Sequence, residues 1–283
     1  MNNINISLVI PCYENFNSFK KSFSSAINQK SKPEQIIIID SSNSDNIREY
    51  IQKNNYENLS IEIIYHHEKN LYPGKARNIG VKISKCNWIA FLDSKTIASE
   101  NWLSEYKKLI LKNNYDVIFG STKFMSNKKN KISTIFLNAT YGNKSHCTVP
   151  GTLIKKIYFE QNKFLENFRS GEDVLWRKKI INNYLINKLI LNKKFYVTYD
   201  QISNKFLENI YKHFIYSIYS STIAIKNNIK DIYLSIFLIL TALIIPKWNV
   251  LIEGWDTNPL YVPNITKLYI LTLVSILIIY VFF

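Results

Sequence analysis

Trp88-Ile89-Ala90-Phe91-Leu92-Asp93-Ser94-Lys95-Thr96 is the stretch on which the fold turns. An apolar run too short for a helix ends in a carboxylate and then in small polar residues. That is the pattern of a buried strand delivering an acid to the edge of a sheet. In open α/β sheets the carboxyl edge of the strands is where ligands sit.

Working outward, the same pattern repeats. Ile6 to Ile10 is a β-branched run stopped by Pro11, and Cys12-Tyr13-Glu14-Asn15 follows as a loop. Asn17 is expected to cap a helix whose packing face carries Phe19, Phe23, Ala26 and Ile27. Ile36 to Ile39 forms a second buried strand ending at Asp40, and Ser44 or Asp45 caps the next helix. Ile61 to Tyr65 gives a third strand, Tyr72-Pro73-Gly74 a turn, and Lys75 to Ser84 a helix leading into Trp88. Beyond Asp93 come a helix striped by Trp102, Leu103, Tyr106, Leu109 and Ile110, then a strand over 116–120. The basic stretch 121–146 reads as a long loop or a pair of edge strands. Thr148 to Ile154 is a strand, Gly171-Glu172-Asp173 opens a helix to about Asn183, and Tyr196 to Tyr199 is the last strand. Strands alternating with helices at this spacing predict an α/β fold with a mostly parallel sheet flanked by helices.

Composition sets outer bounds. With 283 residues, 47% hydrophobic and 14% aromatic, the chain can bury a large core, which excludes general disorder. The net charge of +15 suits phosphorylated substrates or an anionic membrane face, and part of it follows from a Lys-, Asn- and Ile-rich composition. Nucleic acid is not an expected partner, because the aromatic residues fall on core faces and do not interleave with the basic ones. The three cysteines are far apart, which argues against a zinc site or disulfide framework. Ile6 to Ile10 is too short for the apolar core of a signal peptide, so the N-terminal part is expected in the cytosol.

The C-terminal third changes character. Residues 201–228 predict an amphipathic helix with interfacial character, and 229–283 hold two nearly charge-free runs, Ile232 to Ile245 and Leu268 to Phe283. Both fall a little short of the ~20 apolar residues that a spanning helix needs. Trp248, Trp255, Tyr261 and Tyr269 sit where interfacial aromatics belong, so the expectation is a membrane hairpin. The positive-inside rule then places the body of the chain on the cytoplasmic side of the cell membrane.

The strand ends of residues 1–200 gather a particular chemistry. Pro11, Tyr13 and Glu14 follow strand one, Asp40 ends strand two, and Asp93 follows strand four. A flat aromatic ring and an acid at a sheet edge can hold a base and ribose. A helix start bearing Gly74, Lys75 and Arg77 favours a diphosphate. Glu172 and Asp173 put a carboxylate pair at another helix start.

Five segments carry a family resemblance in order: SLVIPCYEN, IIIIDSS, PGKARNIG, FLDSKT and GEDVLW. Together they resemble the family 2 glycosyltransferases over roughly residues 5 to 200. The resemblance implies a GT-A fold and a nucleotide-sugar donor, with UDP-sugars as the family's usual choice. It implies that Pro11, Tyr13, Glu14 and Asp40 contact the nucleoside and that Gly74 and Arg77 lie against the base or diphosphate. Asp93 would be the first acid of the Asp-x-Asp motif, near ribose and metal. Asp173 would be the catalytic base with Glu172 beside it, and Trp176 would wall the acceptor pocket. The implied reaction is inverting transfer to a hydroxyl of a cell-envelope glycan or lipid-linked precursor. A polyprenyl-phosphate sugar synthase and an inactive nucleotide-sugar binder remain as alternatives.

Lys95 departs from that pattern, because it stands where the second acid would hold Mg²⁺ or Mn²⁺. Three readings are compatible with it. The ammonium replaces the metal opposite the diphosphate; or the metal binds through Asp93 and other ligands with Lys95 turned aside; or activity has been lost.

Overall fold

The computed structural model describes residues 4–54, 56, 59–126, 130–183, 189–191, 196–200, 202–227, 229–251 and 260–282. Trp255 lies outside them. The chain divides into two compact units, Met1–Tyr219 and Ser220–Phe283.

In the first unit β1 (Ile6–Cys12), β2 (Gln35–Asp40), β3 (Glu62–His67) and β4 (Trp88–Phe91) lie side by side and parallel, in the order β3-β2-β1-β4. The helices between them are α1 (Phe16–Ile27), α2 (Asn46–Lys53) and α3 (Pro73–Ile83). Two readings of the first loop are corrected. β1 continues through Pro11 to Cys12, with Pro11 in register with Ile39. The α1 cap is Asn15, whose side chain accepts from the Ser18 N–H. Asn15 and its neighbour Glu14 both adopt left-handed φ, which turns the chain sharply.

Past β4 the sheet stops being parallel. β7 (Ser145–Lys155) pairs antiparallel with β4 and with β6 (Val117–Phe124). A short β5 (Thr96–Ala98), directly after the Asp93 turn, pairs antiparallel with β9 (Val197–Tyr199), and β9 runs parallel to β6. β8 (Leu189–Leu191) adds to β6. The sheet is therefore mixed, with its parallel half on the N-terminal side. α4 (Trp102–Asn113) packs on it through Trp102, Leu103, Tyr106 and Ile110.

The stretch read as loop or edge strands is instead the end of β6, a helix α5 (Lys131–Thr140) and the start of β7. Asn130 caps α5 by accepting from the Ser133 N–H. α6 (Lys156–Gln161) and α7 (Glu172–Ile181) then cover the far face of the sheet. Phe91, Phe119, Phe159, Phe164 and Trp176 form one aromatic core beneath β4 and β6. α8 (Phe206–Asn227) begins in this unit, where Phe136 of α5 stacks on His213.

The second unit contains α9 (Ile229–Ile244), a 3-10 turn, α10 (Trp248–Leu251) and α11 (Asn264–Phe282). Leu238 and Val274 are buried, whereas Phe237, Leu240, Leu243, Leu268 and Leu273 are exposed. α9 and α11 pack against each other, but the expected membrane hairpin is not supported. Among the described residues no helix is long and apolar enough to cross a membrane.

Candidate active site

Parallel pairing brings three strand ends to one edge. Cys12 is level with Asp40, and Val9 with Phe91, so the loops after β1, β2 and β4 open on the same side. The first two loops are stapled together. The Glu14 N–H donates to Ser42 Oγ at 2.7 Å, and Glu14 Oε1 accepts from the Asn43 N–H at 2.9 Å. Tyr13 projects from this staple with 53% of its surface exposed, leaving its ring open for stacking. Asp40 is fully buried: it accepts from the Ser42 N–H and from the Tyr65 hydroxyl, both at 2.9 Å. In this conformation Asp40 shapes the loop and offers no surface to a nucleoside.

Asp93 lies in a tight turn. Its carbonyl accepts from the Thr96 N–H (2.9 Å), Thr96 Oγ1 (2.8 Å) and Ser22 Oγ (3.0 Å), while its side chain keeps 32% exposure. Behind it sits Arg77 of α3, only 4% exposed. Its Nη2 donates to Asp93 Oδ1 at 2.8 Å and its Nη1 to Glu172 Oε1 at 3.0 Å. One guanidinium thus joins β4, α3 and α7. Burying a cation is costly unless it is paired, and here two carboxylates supply the pairing. Burial alone would lower the Arg77 pKa; Asp93 and Glu172 outweigh it and hold it raised. Arg77 therefore stands under the site as a tether for two acids, away from the open surface where a diphosphate would lie.

The acid pair at the start of α7 has unequal surroundings. Gly171 supplies the left-handed turn into the helix, at φ 85°. Glu172 then points inward, 4% exposed, and burial raises its pKa against the opposing pull of Arg77, with Asp173 adding to the rise. Asp173 is partly exposed on the next position. Glu172 is an anchor and Asp173 the accessible carboxylate. Trp176, one turn further on, is 1% exposed, stacks on Phe164 at 4.6 Å and donates from Nε1 to the Asn162 carbonyl. It pins α7 to the core, so the acceptor-wall reading is corrected: no ring surface is presented to a substrate. Gly74 is likewise committed to packing, since a Cβ there would lie 2.2 Å from the Leu165 carbonyl oxygen.

The sequence reading missed the other bank of the cleft. Thr96 pairs with Tyr199 across the β5–β9 ladder, so exposed Lys95 lies at the Tyr199 end. The Tyr199 hydroxyl accepts from Lys212 Nζ at 2.9 Å, and that ammonium also sits over the Tyr216 ring. Tyr199 is pushed up to about 12 by burial and by Asp93 and Asp200. The Lys95 ammonium is pushed down by partial desolvation and by Lys212, against Asp93, with Arg169 adding. Lys95 apart, the sequence signal for this bank was the i, i+4 spacing of Lys212 and Tyr216 on a helix expected to be amphipathic and interfacial.

Among the described residues no three His, Cys, Asp or Glu side chains converge on a metal position. Asp93 shares one oxygen with Arg77, and Lys95 occupies the motif's second acid position. The described protein residues alone therefore do not complete a site for Mg²⁺ or Mn²⁺.

A sheet that is parallel on one side and mixed on the other, flanked by helices and with acids at its carboxyl edge, fits a GT-A-type fold. Residues 7–185 match the model described as Glycosyl transferase family 2, and the chain belongs to that family. It is similar to an uncharacterized glycosyltransferase of Rickettsia bellii, 33% identical over 60% of this chain and 26% of that protein. It is also similar to the Escherichia coli UDP-Glc:alpha-D-GlcNAc-diphosphoundecaprenol beta-1,3-glucosyltransferase WfgD, 27% identical over 43% of this chain and 47% of that one. The chain thus spans less than half the length of either relative. Staphylococcus aureus TarS residues 1–349, solved with UDP-GlcNAc, gives a TM-score of 0.52 at 18% identity, covering 72% of this chain and 60% of that chain. At that identity the likeness speaks for the fold.

Proposed function

We propose that this chain is an inverting glycosyltransferase that moves a sugar from a nucleotide-sugar, with UDP-sugars the first candidates, to a hydroxyl of a cell-envelope glycan or its lipid-linked precursor. The observation that supports this reading is the Arg77 bridge, which joins Asp93 and Glu172 on one guanidinium, with Asp173 the residue after Glu172 in the first turn of α7. Exposed Tyr13 stacks on the base, with Pro11 and the Glu14 staple shaping its seat, and Asp93 takes a ribose hydroxyl. Asp173 accepts the acceptor hydroxyl's proton as that oxygen attacks the anomeric carbon. The bond from carbon to the diphosphate oxygen breaks, and its electron pair leaves on the nucleoside diphosphate. Similarity to WfgD supports a lipid-linked acceptor of this kind.

The exposed apolar residues of α9 and α11 support attachment of the chain to a membrane face by seating on it, and the net charge of +15 favours the cytoplasmic face. Sugar transfer by the purified chain from a panel of nucleotide-sugars to undecaprenyl-diphosphate-linked sugars tests the function. Turnover should occur and should fall by about 10²–10⁴ in Asp173→Asn. Turnover on polyprenyl phosphate that ignores Asp173→Asn would establish the synthase alternative instead, and no turnover with any donor would leave a nucleotide-sugar binder.

A further inference from the structure

We propose that Lys95, Arg169 and Lys212 form an anion subsite that holds the diphosphate of the donor and makes the site independent of a divalent cation. The inference rests on the nucleotide-sugar reading above and extends it to a helix outside the matched residues 7–185.

The geometry comes from three separate segments that meet on one pair of tyrosines. Lys95 belongs to the Asp93 turn, and the next residue, Thr96, is locked into the ladder opposite Tyr199. Lys212 of α8 is fastened to that tyrosine by the 2.9 Å bond from its Nζ to the hydroxyl. The same ammonium lies 5.3 Å from the Tyr199 ring centroid and 5.6 Å from that of Tyr216, so two aromatic faces hold it in place. Arg169 lies exposed in the loop before α7, within electrostatic range of Lys95 and Tyr216, and its neighbour Ser170 ties that loop to the cluster by donating from Oγ to the Tyr216 carbonyl at 3.4 Å. All of these residues lie in the compact unit Met1–Tyr219.

Charge balance explains why the cluster is needed. The diphosphate gains a negative charge as the bond to the sugar breaks, and a site that stabilises the products must place positive charge there. In this chain Asp93 and Glu172 already share the cation beneath them, Arg77, which is buried and cannot turn outward. Arginine and lysine side chains aimed at phosphate oxygens form charge-assisted hydrogen bonds of the kind that substitute for a metal's positive charge. Seated next to Asp93, the subsite favours a nucleoside diphosphate over the diphosphate of a lipid carrier.

Isothermal titration of the full chain in EDTA, with UDP, GDP, uridine and farnesyl diphosphate as probes, tests this. A nucleoside diphosphate should bind as tightly in EDTA as with Mn²⁺. Lys212→Gln and Arg169→Gln should each weaken it roughly tenfold or more, leave uridine binding unchanged, and be rescued by Lys212→Arg and Arg169→Lys. Binding that requires Mn²⁺, or that ignores both neutralising variants, would overturn the subsite while leaving the donor reading intact. Equal losses for UDP and uridine would show a structural role and overturn it too, as would binding of farnesyl diphosphate alone. If neither UDP nor GDP binds with or without Mn²⁺, the donor reading itself falls, and the subsite with it.

Discussion

Arg77→Gln is the perturbation that most directly tests how this site is organised. In the native chain both ends of the guanidinium are occupied, by Asp93 at 2.8 Å and Glu172 at 3.0 Å. The two partners are not equally dependent on it. Asp93 keeps 32% exposure, so water can replace much of what it loses, and its share is about 1 kcal/mol or less. Glu172 has 5% side-chain exposure, and losing Arg77 leaves a buried charge unpaired, at a cost of about 3–5 kcal/mol. For a unit of this size that corresponds to a fall in Tm of roughly 6–20 °C. The pH dependence has a definite sign. Burial already raises the Glu172 pKa while Arg77 opposes it, so removing Arg77 raises it further. A carboxyl with a raised folded-state pKa binds its proton more tightly when folded. Its stabilising effect is present at low pH and is lost as pH rises from the unfolded value through the folded one. Arg77→Gln should therefore lie closest to the native chain near pH 5 and diverge from it towards pH 8. Glu172→Gln added to Arg77→Gln should restore most of the loss, because both buried charges are then gone. Urea or thermal denaturation of the native chain, Arg77→Gln, Glu172→Gln and the double variant at pH 5 and pH 8 reads all of this. A penalty below about 1 kcal/mol at pH 8, or additive losses in the double variant, would refute the tether argument.

Three further outcomes follow from individual side chains. Trp176→Ala should cost about 3–5 kcal/mol in denaturant unfolding, and a near-neutral result would restore the acceptor-wall reading, because a substrate-facing ring is not needed for folding. Gly171→Ala places a Cβ at φ 85° and should cost about 1–2 kcal/mol; transfer should fall more than stability, since the turn aims Glu172 and Asp173. Cys12 is buried, and burial, then Asp40 and Asp93, raise its thiol pKa well above the ordinary range. Iodoacetamide at pH 8 should therefore label it only in denaturant, and rapid labelling of the native chain would show that the strand-end floor is open.

What was legible in the sequence is what local pattern carries. The strand runs at Ile6, Ile36 and Trp88 are apolar but for Ser7, which is buried and donates to Gln35, so their burial, parallel pairing and carboxyl ends followed from hydrophobic pattern. The stretch 121–146 was not legible. Its helix carries Ile135 exposed and Leu137 buried, so no clean apolar stripe marks it, and β6 and β7 enter it from both sides. Nor was β5 legible: three residues after a tight turn become a strand only because β9, about a hundred residues later, pairs with them. Trp176 went astray for a related reason. A tryptophan one turn after a carboxylate pair is equally suited to a pocket or a core, and Phe91, Phe119 and Phe164 decide for the core.

The substitution at Lys95 becomes understandable once Arg77 is seen in place. A metal-dependent edge needs acids whose negative charge is left over for the cation. Here one of the two carboxylates at the α3–α7 junction is buried against Arg77, and the other gives that same arginine an oxygen. A second acid at position 95 would raise the negative charge at the edge and draw in a divalent ion. A lysine there instead leaves the edge electropositive towards Tyr199, where Lys212 already stands. Two substitutions separate these accounts. If Lys95→Asp confers Mn²⁺-stimulated turnover on the chain, the edge is one residue away from metal dependence and the lysine is what moved it. If Lys95→Asp abolishes turnover in Mn²⁺ and EDTA alike while Lys95→Arg retains it, the positive charge at this position has become part of how the donor is held.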